Sequence, residues 1–450
     1  MVSHWKKTTA LICTYGVLKE IRPATPFLTP FLVSHYKNLT IDEVYGQIFP
    51  FWTYSFLIFL VPIFFLTDIF RYKPIIILEG ACLTATWGLL VWGQGVLQMQ
   101  FMQIVFGLAS ASEIAYFSYI YAVVDEKQYR KCTSYIRTAL LIGKLFAFGL
   151  AQFLVSTEIG SYLLLNQISL ATVLTAFCIA LLLPRVPARL RQEVHSELVG
   201  AQENQSSLEN PTRGEFERRK LERGIRNYLL TTIKNFRIFK DNLIVLKWSI
   251  WWALASCGIY QVFNYIQALW LEMQPDPNKV ENGLTEFVNT LIGAIIAFAI
   301  QFAAIDWIKY GELTLTLSSS LIAVILAVVS QTKYVVLAYI GYVLVTAIYH
   351  ALITAASCNI ATELSSTNYG LVFGWNTFVA VGLQTLLTLV VVDSHGLNLP
   401  MRTQFVVYAV YFAAVAALFL AAFIYSRLRK TPTEEPTNAS EESENAVERL

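Results

Sequence analysis

The sequence predicts an all-α membrane protein with twelve transmembrane helices arranged as two six-helix bundles. Three observations carry this expectation. Of the 450 residues, 56% are hydrophobic and only 14% are charged, against about 25% charged in a soluble domain. Twelve apolar runs each reach the roughly 20 residues needed to cross a bilayer core. One long polar segment separates them, with six runs before it and six after.

The first run, 9–32, follows Trp5-Lys6-Lys7. It is longer than the apolar stretch of a signal peptide and has no small-residue cleavage site behind it, so no cleavable leader is expected. Runs 49–67, 74–93, 97–124, 133–155 and 161–183 follow, which makes 1–183 an N-terminal six-helix bundle. Residues 184–243 are polar and contain Arg218-Arg219-Lys220 among alternating glutamates. They read as a cytoplasmic linker; 215–240 also fits a basic amphipathic helix on the inner membrane surface. Runs 244–270, 284–305, 311–330, 334–356, 368–392 and 404–426 complete a C-terminal six-helix bundle over 244–430. The tail 431–450 carries six glutamates with Pro, Thr and Ser, and disorder is expected there.

Orientation follows from basic residues in the short connections. With the N-terminus inside, the inner loops hold Lys6, Lys7, Arg71, Lys73, Lys127, Arg130, Lys131, Lys309, Arg427, Arg429 and Lys430, and the outer loops only Lys37, Lys279, Lys333 and Arg402. Both termini are therefore expected in the cytoplasm. The sequon Asn38-Leu39-Thr40 then falls outside, and Asn38 is a glycosylation candidate. The outer sequon favours the secretory route. The sequons at Asn204 and Asn438 fall inside, where no glycosylation is expected.

The net charge of +2 is too small to argue for nucleic acid. The six cysteines, Cys13, Cys82, Cys132, Cys178, Cys257 and Cys358, have no ligand spacing, so free thiols and no metal are expected. No HExxH, GxSxG or P-loop motif appears, and catalysis has no support. No cofactor is implied.

What remains are charges and amides inside apolar runs. Near the middle of 97–124 sits Glu113, with Tyr116 three residues on. A carboxylate at that depth is costly and marks either a substrate or proton site or a structural ion pair. Lys144 lies mid-run in 133–155, within roughly 5 Å of the depth of Glu113 on the neighbouring antiparallel helix at about 1.5 Å per residue. Two readings stand for it: partner of Glu113 in the empty site, or cation for an anionic substrate. Gln261, Asn264 and Gln267, three apart, form a polar stripe facing a cavity or another helix. Arg22 beside Pro23 reads as structural, pairing with another helix at a broken turn. Glu79, Arg137 and Lys247 read as residues near inner ends that snorkel or join loop ion pairs. Asp306 and Glu312 read as inner-loop residues, and His350 as a satisfied buried histidine or a proton-sensitive group.

Six spans, a linker and six more spans is the layout of a major facilitator, with substrate bound between the halves near the midplane. The loop Leu66-Thr67-Asp68-Ile69-Phe70-Arg71-Tyr72-Lys73 resembles a reduced form of that superfamily's loop motif. Further blocks are more specific: Ile21-Arg22-Pro23-Ala24-Thr25-Pro26-Phe27-Leu28-Thr29-Pro30, Tyr36-Lys37-Asn38-Leu39-Thr40, Ile48-Phe49-Pro50-Phe51-Trp52-Thr53-Tyr54-Ser55, Leu246-Lys247-Trp248-Ser249-Ile250-Trp251-Trp252, Leu371-Val372-Phe373-Gly374-Trp375-Asn376-Thr377-Phe378 and Gly396-Leu397-Asn398-Leu399-Pro400. In order and across both halves, they resemble the vitamin carriers that comprise the reduced folate carrier and the thiamine transporters.

That resemblance implies a secondary transporter for a water-soluble vitamin, working by alternating access in the lipid bilayer of the plasma membrane, with a proton or organic anion as possible coupled partner. By resemblance the thiamine branch carries a glutamate in span four, a tryptophan in span two and a glutamine in span eleven; this chain has Glu113, Trp52 and Gln384 there. Thr346 stands where both branches are basic. The resemblance thus implies thiamine, with folate or a phosphorylated vitamin as the alternative. It implies that Trp52 and Tyr116 sandwich the pyrimidine, that Glu113 accepts from its amino group and that Asn264 hydrogen-bonds the ligand; Gln261, Gln384 and, from its depth, Lys144 complete the candidate site. Two positions differ from the family pattern: Thr25 replaces a usual glutamate, and Lys144 replaces an apolar residue.

Overall fold

The computed structural model describes residues 2–70, 72–123, 129–184, 237–274, 280–299, 307–363 and 369–430. Most of the expected linker and the whole expected tail lie outside the described residues. A long helix stands over each predicted run: α1 (Val2–Glu20), α2 (Pro50–Phe70), α3 (Lys73–Trp92), α4 (Gly95–Val123), α5 (Tyr129–Ser156), α6 (Tyr162–Leu182), α7 (Leu243–Met273), α8 (Asn282–Ala299), α9 (Trp307–Gln331), α10 (Val335–Glu363), α11 (Tyr369–Val391) and α12 (Met401–Lys430). Among the described residues, nine helices are long and apolar enough to cross a membrane.

The packing divides the helices into two groups. In the first, α2 and α3 pack on α4, α3 on α6, and α1 on α5 and α6. In the second, α7 packs on α10, α11 and α12, α8 on α10, and α9 on α12. The groups meet along two seams, α5 against α8 and α2 against α11.

The first run does not continue as one helix. Pro23 has no N–H to give, and α1 stops at Glu20. The chain turns through a 3₁₀ segment, Thr25–Phe27, into a short helix, Leu28–Val33. Non-helical backbone at membrane depth needs other partners, and they come from three helices. Thr172 on α6 donates to the Ile21 carbonyl (2.6 Å), and Ser169 accepts from the Ala24 amide (3.1 Å). Gln267 on α7 donates to the Thr25 carbonyl (3.1 Å), and Asn282 on α8 donates to the Pro26 carbonyl (3.0 Å). The break thereby becomes a joint between the two groups of helices.

Other cross-links lie at the same end of the bundle, opposite the start of α1. Gln152 on α5 donates to the Val280 carbonyl (3.2 Å) and accepts from the Leu284 amide (3.0 Å). Tyr54 on α2 donates to Asp393 beyond α11 (2.5 Å), and the Ser394 amide donates to the Gly46 carbonyl (3.2 Å). Asn398, with φ +43°, takes the left-handed backbone that asparagine tolerates, which lets this last turn fold back.

Candidate functional site

Two close approaches bring the charged side chains together. Gly107 on α4 faces α2 so tightly that an added Cβ would lie 1.9 Å from Ser55 Oγ and 2.9 Å from the Phe56 amide nitrogen. Gly143 on α5 faces α1, where a Cβ would lie 2.5 Å from the Val17 carbonyl oxygen. With these contacts made, α1, α3 and α4 converge on one buried ammonium, that of Lys19.

Lys19 Nζ lies 2.7 Å from Glu79 Oε1 and 2.9 Å from Glu113 Oε1. It also sits 4.1 Å from the centre of the Tyr116 ring, on its face. Tyr15, one turn before Lys19 on α1, donates to Glu79 Oε2 (2.9 Å) and packs against Tyr116 with ring centres 5.6 Å apart. The two carboxylates differ in access. The Glu79 side chain is 3% exposed, whereas that of Glu113 is 40% exposed although its partner Lys19 is at 2%.

This arrangement corrects two expectations. Glu113 pairs with Lys19, not Lys144. The depth comparison between α4 and α5 was insufficient because depth does not fix which way a side chain points, and α1 supplies the nearer cation. Glu79 does not snorkel at an inner end; it is buried and ion-paired, because α1 and α6 cover that part of α3. Arg22 also pairs within its own segment, with Glu20 at 2.7 Å, and lies 5.5 Å from the Trp87 ring. Lys144 lies close enough to Glu20, Glu286 and His350 to act on each electrostatically.

Trp52 and Tyr116 stack on different neighbours. Trp52 lies against Phe56 and Phe106, with ring centres 5.7 Å and 6.2 Å away, and its indole donates to Ser110 (3.1 Å). The polar stripe of α7 splits three ways. Gln261 is fully buried and spends its amide on α11, at the Gln384 carbonyl (3.2 Å) and Thr388 Oγ1 (2.9 Å). Gln267 holds the broken first span. Asn264 keeps a buried amide nitrogen with no hydrogen-bond partner among the described residues. The same is true of the Tyr116 hydroxyl and of both side-chain polar atoms of Gln384. Orphaned buried polar atoms are rare and call for a ligand, an ion or water. Thr346 is bound to Asn289 and to its own helix.

Near the start of α7, Lys247 pairs with Glu312, which lies within α9 rather than in a loop and also accepts from Ser426 (2.7 Å). Asp306 lies outside the described residues. All six cysteines are free, and no cluster that could hold a metal occurs among the described residues. A groove of about 450 Å³ lined by Phe51, Leu97, Gln98, Gln100, Phe101 and Ile104 contains none of the candidate residues.

Residues 3–407 match the family model for the reduced folate carrier. The chain belongs to the reduced folate carrier family. Within that family it is 51% identical to "Folate transporter 1" of Caenorhabditis elegans, over 99% of this chain and 98% of the relative. It is 41% identical to "Thiamine transporter 1" of Homo sapiens, over 97% of this chain and 93% of the relative. Among solved structures it is similar to the POT family transporter PepTSo, with a TM-score of 0.66 and 13% identity over 94% of this chain and 99% of that one. The nucleoside transporter NupG gives a TM-score of 0.62 at 14% identity, over 93% of this chain and 98% of that one. At such identities these likenesses show the fold, that of the major facilitators.

Three charged positions of this family member were missed in the sequence: Lys19, Glu20 and Glu286. The signal was present, since all three interrupt apolar runs as Glu113 does. Lys19 and Glu20 precede Arg22-Pro23 and read as the polar end of a span. Glu286 stands near the start of the eighth run; in the structure it accepts from Tyr342 (2.8 Å) and Asn289 (3.3 Å).

Proposed function

We propose that the chain imports a water-soluble vitamin across the plasma membrane by alternating access, with both termini in the cytoplasm, and that the vitamin is thiamine. The observation that carries this reading is the carboxylate of Glu113, which is open on one side and held by a single ammonium on the other. Thiamine is a cation whose aminopyrimidine presents a donor suited to a carboxylate. The surrounding charge supports it. Lys19, Arg22 and Lys144 stand with Glu20, Glu79, Glu113 and Glu286, three cations to four carboxylates, so the formal balance is −1. A monocation brings this to neutrality, whereas a dicarboxylate such as folate adds to the excess. The unsatisfied polar atoms of Tyr116, Asn264 and Gln384 add neutral groups suited to a heterocycle.

A second reading, folate, is favoured by the 51% identity to a protein named as a folate transporter. Labelled thiamine and folate uptake, measured side by side in cells expressing the chain, separates the two. Saturable thiamine uptake that Glu113→Ala abolishes at normal surface expression is expected. Saturable folate uptake without thiamine uptake would overturn the substrate assignment and leave the carrier function standing. A proton or organic anion is the proposed coupled species.

A further inference from the structure

The site proposed for the aminopyrimidine is already filled by part of the chain. Two of the three groups assigned to that ring, the Glu113 carboxylate and the face of Tyr116, are taken by the Lys19 ammonium, at 2.9 Å and 4.1 Å, while the third, Trp52, stacks on Phe56 and Phe106. We infer that Lys19 is a resident counter-ion that a cationic ligand displaces from Glu113, so that Lys19 sets both affinity and release. The inference rests on the thiamine reading of the site.

The geometry makes displacement feasible because Lys19 has two carboxylates. Its bond to Glu79 is the shorter, at 2.7 Å, and Glu79 is fixed in turn by the Tyr15 hydroxyl at 2.9 Å. The pair Lys19–Glu79 is buried on both sides, and its loss would leave a charge unpaired in a dry interior. The pair Lys19–Glu113 differs, since Glu113 is 40% exposed and approachable. An arriving cation can therefore take Glu113 while Lys19 withdraws toward Glu79 and stays neutralised. Withdrawal also clears the Tyr116 face for stacking. When the ligand leaves, Lys19 returns, and Glu113 is not left as a lone carboxylate in an apolar span. A neutral residue at position 19 would remove the competitor but also the group that drives release.

Glu20 lies next in sequence but bonds to Arg22, so it is not the alternative partner. Lys144 acts on Glu20 and Glu286 and does not replace Lys19 at Glu113. The Glu79–Lys19–Glu113 triad thus works as one unit, with a fixed end and an exchangeable end.

The test is thiamine uptake by the full-length chain carrying Lys19→Gln or Lys19→Arg, with KM and Vmax measured separately and normalised to surface expression. Lys19→Gln is expected to lower KM at least threefold and to lower Vmax, because release slows. Lys19→Arg keeps a competing cation and is expected to stay close to the unaltered KM. If Lys19→Gln fails to reach the surface because Glu79 is left unpaired, the pair Lys19→Gln with Glu79→Gln removes that charge and carries the same expectation. An unchanged or raised KM in the variant that reaches the surface would overturn the inference while unaltered thiamine uptake upholds the substrate. Absence of thiamine uptake by the unaltered chain would overturn the substrate reading and the displacement together, and is distinguished because no variant is needed to see it.

Discussion

Tyr54 and Asp393 join the two halves of the protein through one 2.5 Å hydrogen bond, donated from α2 to the carboxylate that follows α11. The same carboxylate accepts from the backbone amide of His395 (2.8 Å), and the next residue, Ser394, is bonded to Gly46. Together with Gln152, Gln267 and Asn282 these contacts close one end of the bundle. In a carrier that works by alternating access, that end must open, and the bonds that close it set the balance between the two states.

Tyr54→Phe removes the donor and leaves the packing of the ring. A hydrogen bond to a charged group contributes about 1.5–3 kcal/mol, so the closed-to-open ratio at this end should fall roughly tenfold or more. Spin labels at the exposed positions Gln47 and Leu397 report it. A longer-distance population should grow in Tyr54→Phe. Superimposable distance distributions would mean that the bond does not hold this end shut.

The pH dependence of the closure has a definite sign. Burial pushes Asp393 upward, but the bonds from Tyr54 and His395 outweigh it and hold the carboxyl below the usual aspartate range. A depressed value in the closed form means the contribution is complete above the free value of about 3.9 and is lost as pH falls through the lower one. The Gln47–Leu397 distances should therefore be constant from about pH 8 to about pH 5, and the contribution of Asp393 should disappear only below about pH 4. Loosening between pH 7 and pH 6 that Asp393→Asn eliminates would contradict this assignment.

Gly107→Ala tests how tightly α2 and α4 must meet. The new methyl would overlap Ser55 Oγ and crowd the Phe56 backbone. Overpacking of this kind costs about 1–3 kcal/mol. It also separates Trp52 from Ser110, which lies one turn beyond Gly107 on the same helix. The variant should unfold at a lower temperature in detergent than the unaltered chain, and its thiamine uptake should fall. An unchanged midpoint would show that the two helices slide apart at little cost.

The fold was legible because membrane crossing is read from run length and apolarity, which need no knowledge of neighbours. Every predicted run carries a long helix, and the departures occur where local chemistry intervenes, as at Pro23. The site was legible in part. Glu113 announced itself because a carboxylate in an apolar run is costly wherever it points. Its partner was not legible, since pairing depends on the azimuth of α1 against α4, and sequence gives depth but not rotation. The stripe Gln261–Asn264–Gln267 makes the same point. Spacing of three placed the side chains near one face, yet the structure commits Gln261 to α11, Gln267 to the broken span, and leaves Asn264 unsatisfied. Family resemblance supplied Trp52 and Gln384, which no local pattern singles out.

Gln267 is the residue whose role changed most, and its variant has a separate signature. Its amide nitrogen serves the Thr25 carbonyl at 3.1 Å, and its amide oxygen lies 3.4 Å from the Thr29 nitrogen. These bonds do two things: they satisfy backbone groups freed by the break at Pro23, and they tie α7 to the first half. Gln267→Ala removes both. Each neutral bond contributes about 0.5–1.5 kcal/mol, and a buried group left unpaired costs about 1–3 kcal/mol. Amide hydrogen exchange over Ala24–Thr29 should therefore accelerate, while the triad on Lys19 keeps its geometry. Uptake should fall through Vmax, because the closed state at this end is destabilised, with KM changed less than twofold. Had Gln267 been a ligand group, as its place in the stripe allows, KM would rise severalfold and exchange over Ala24–Thr29 would be unaffected.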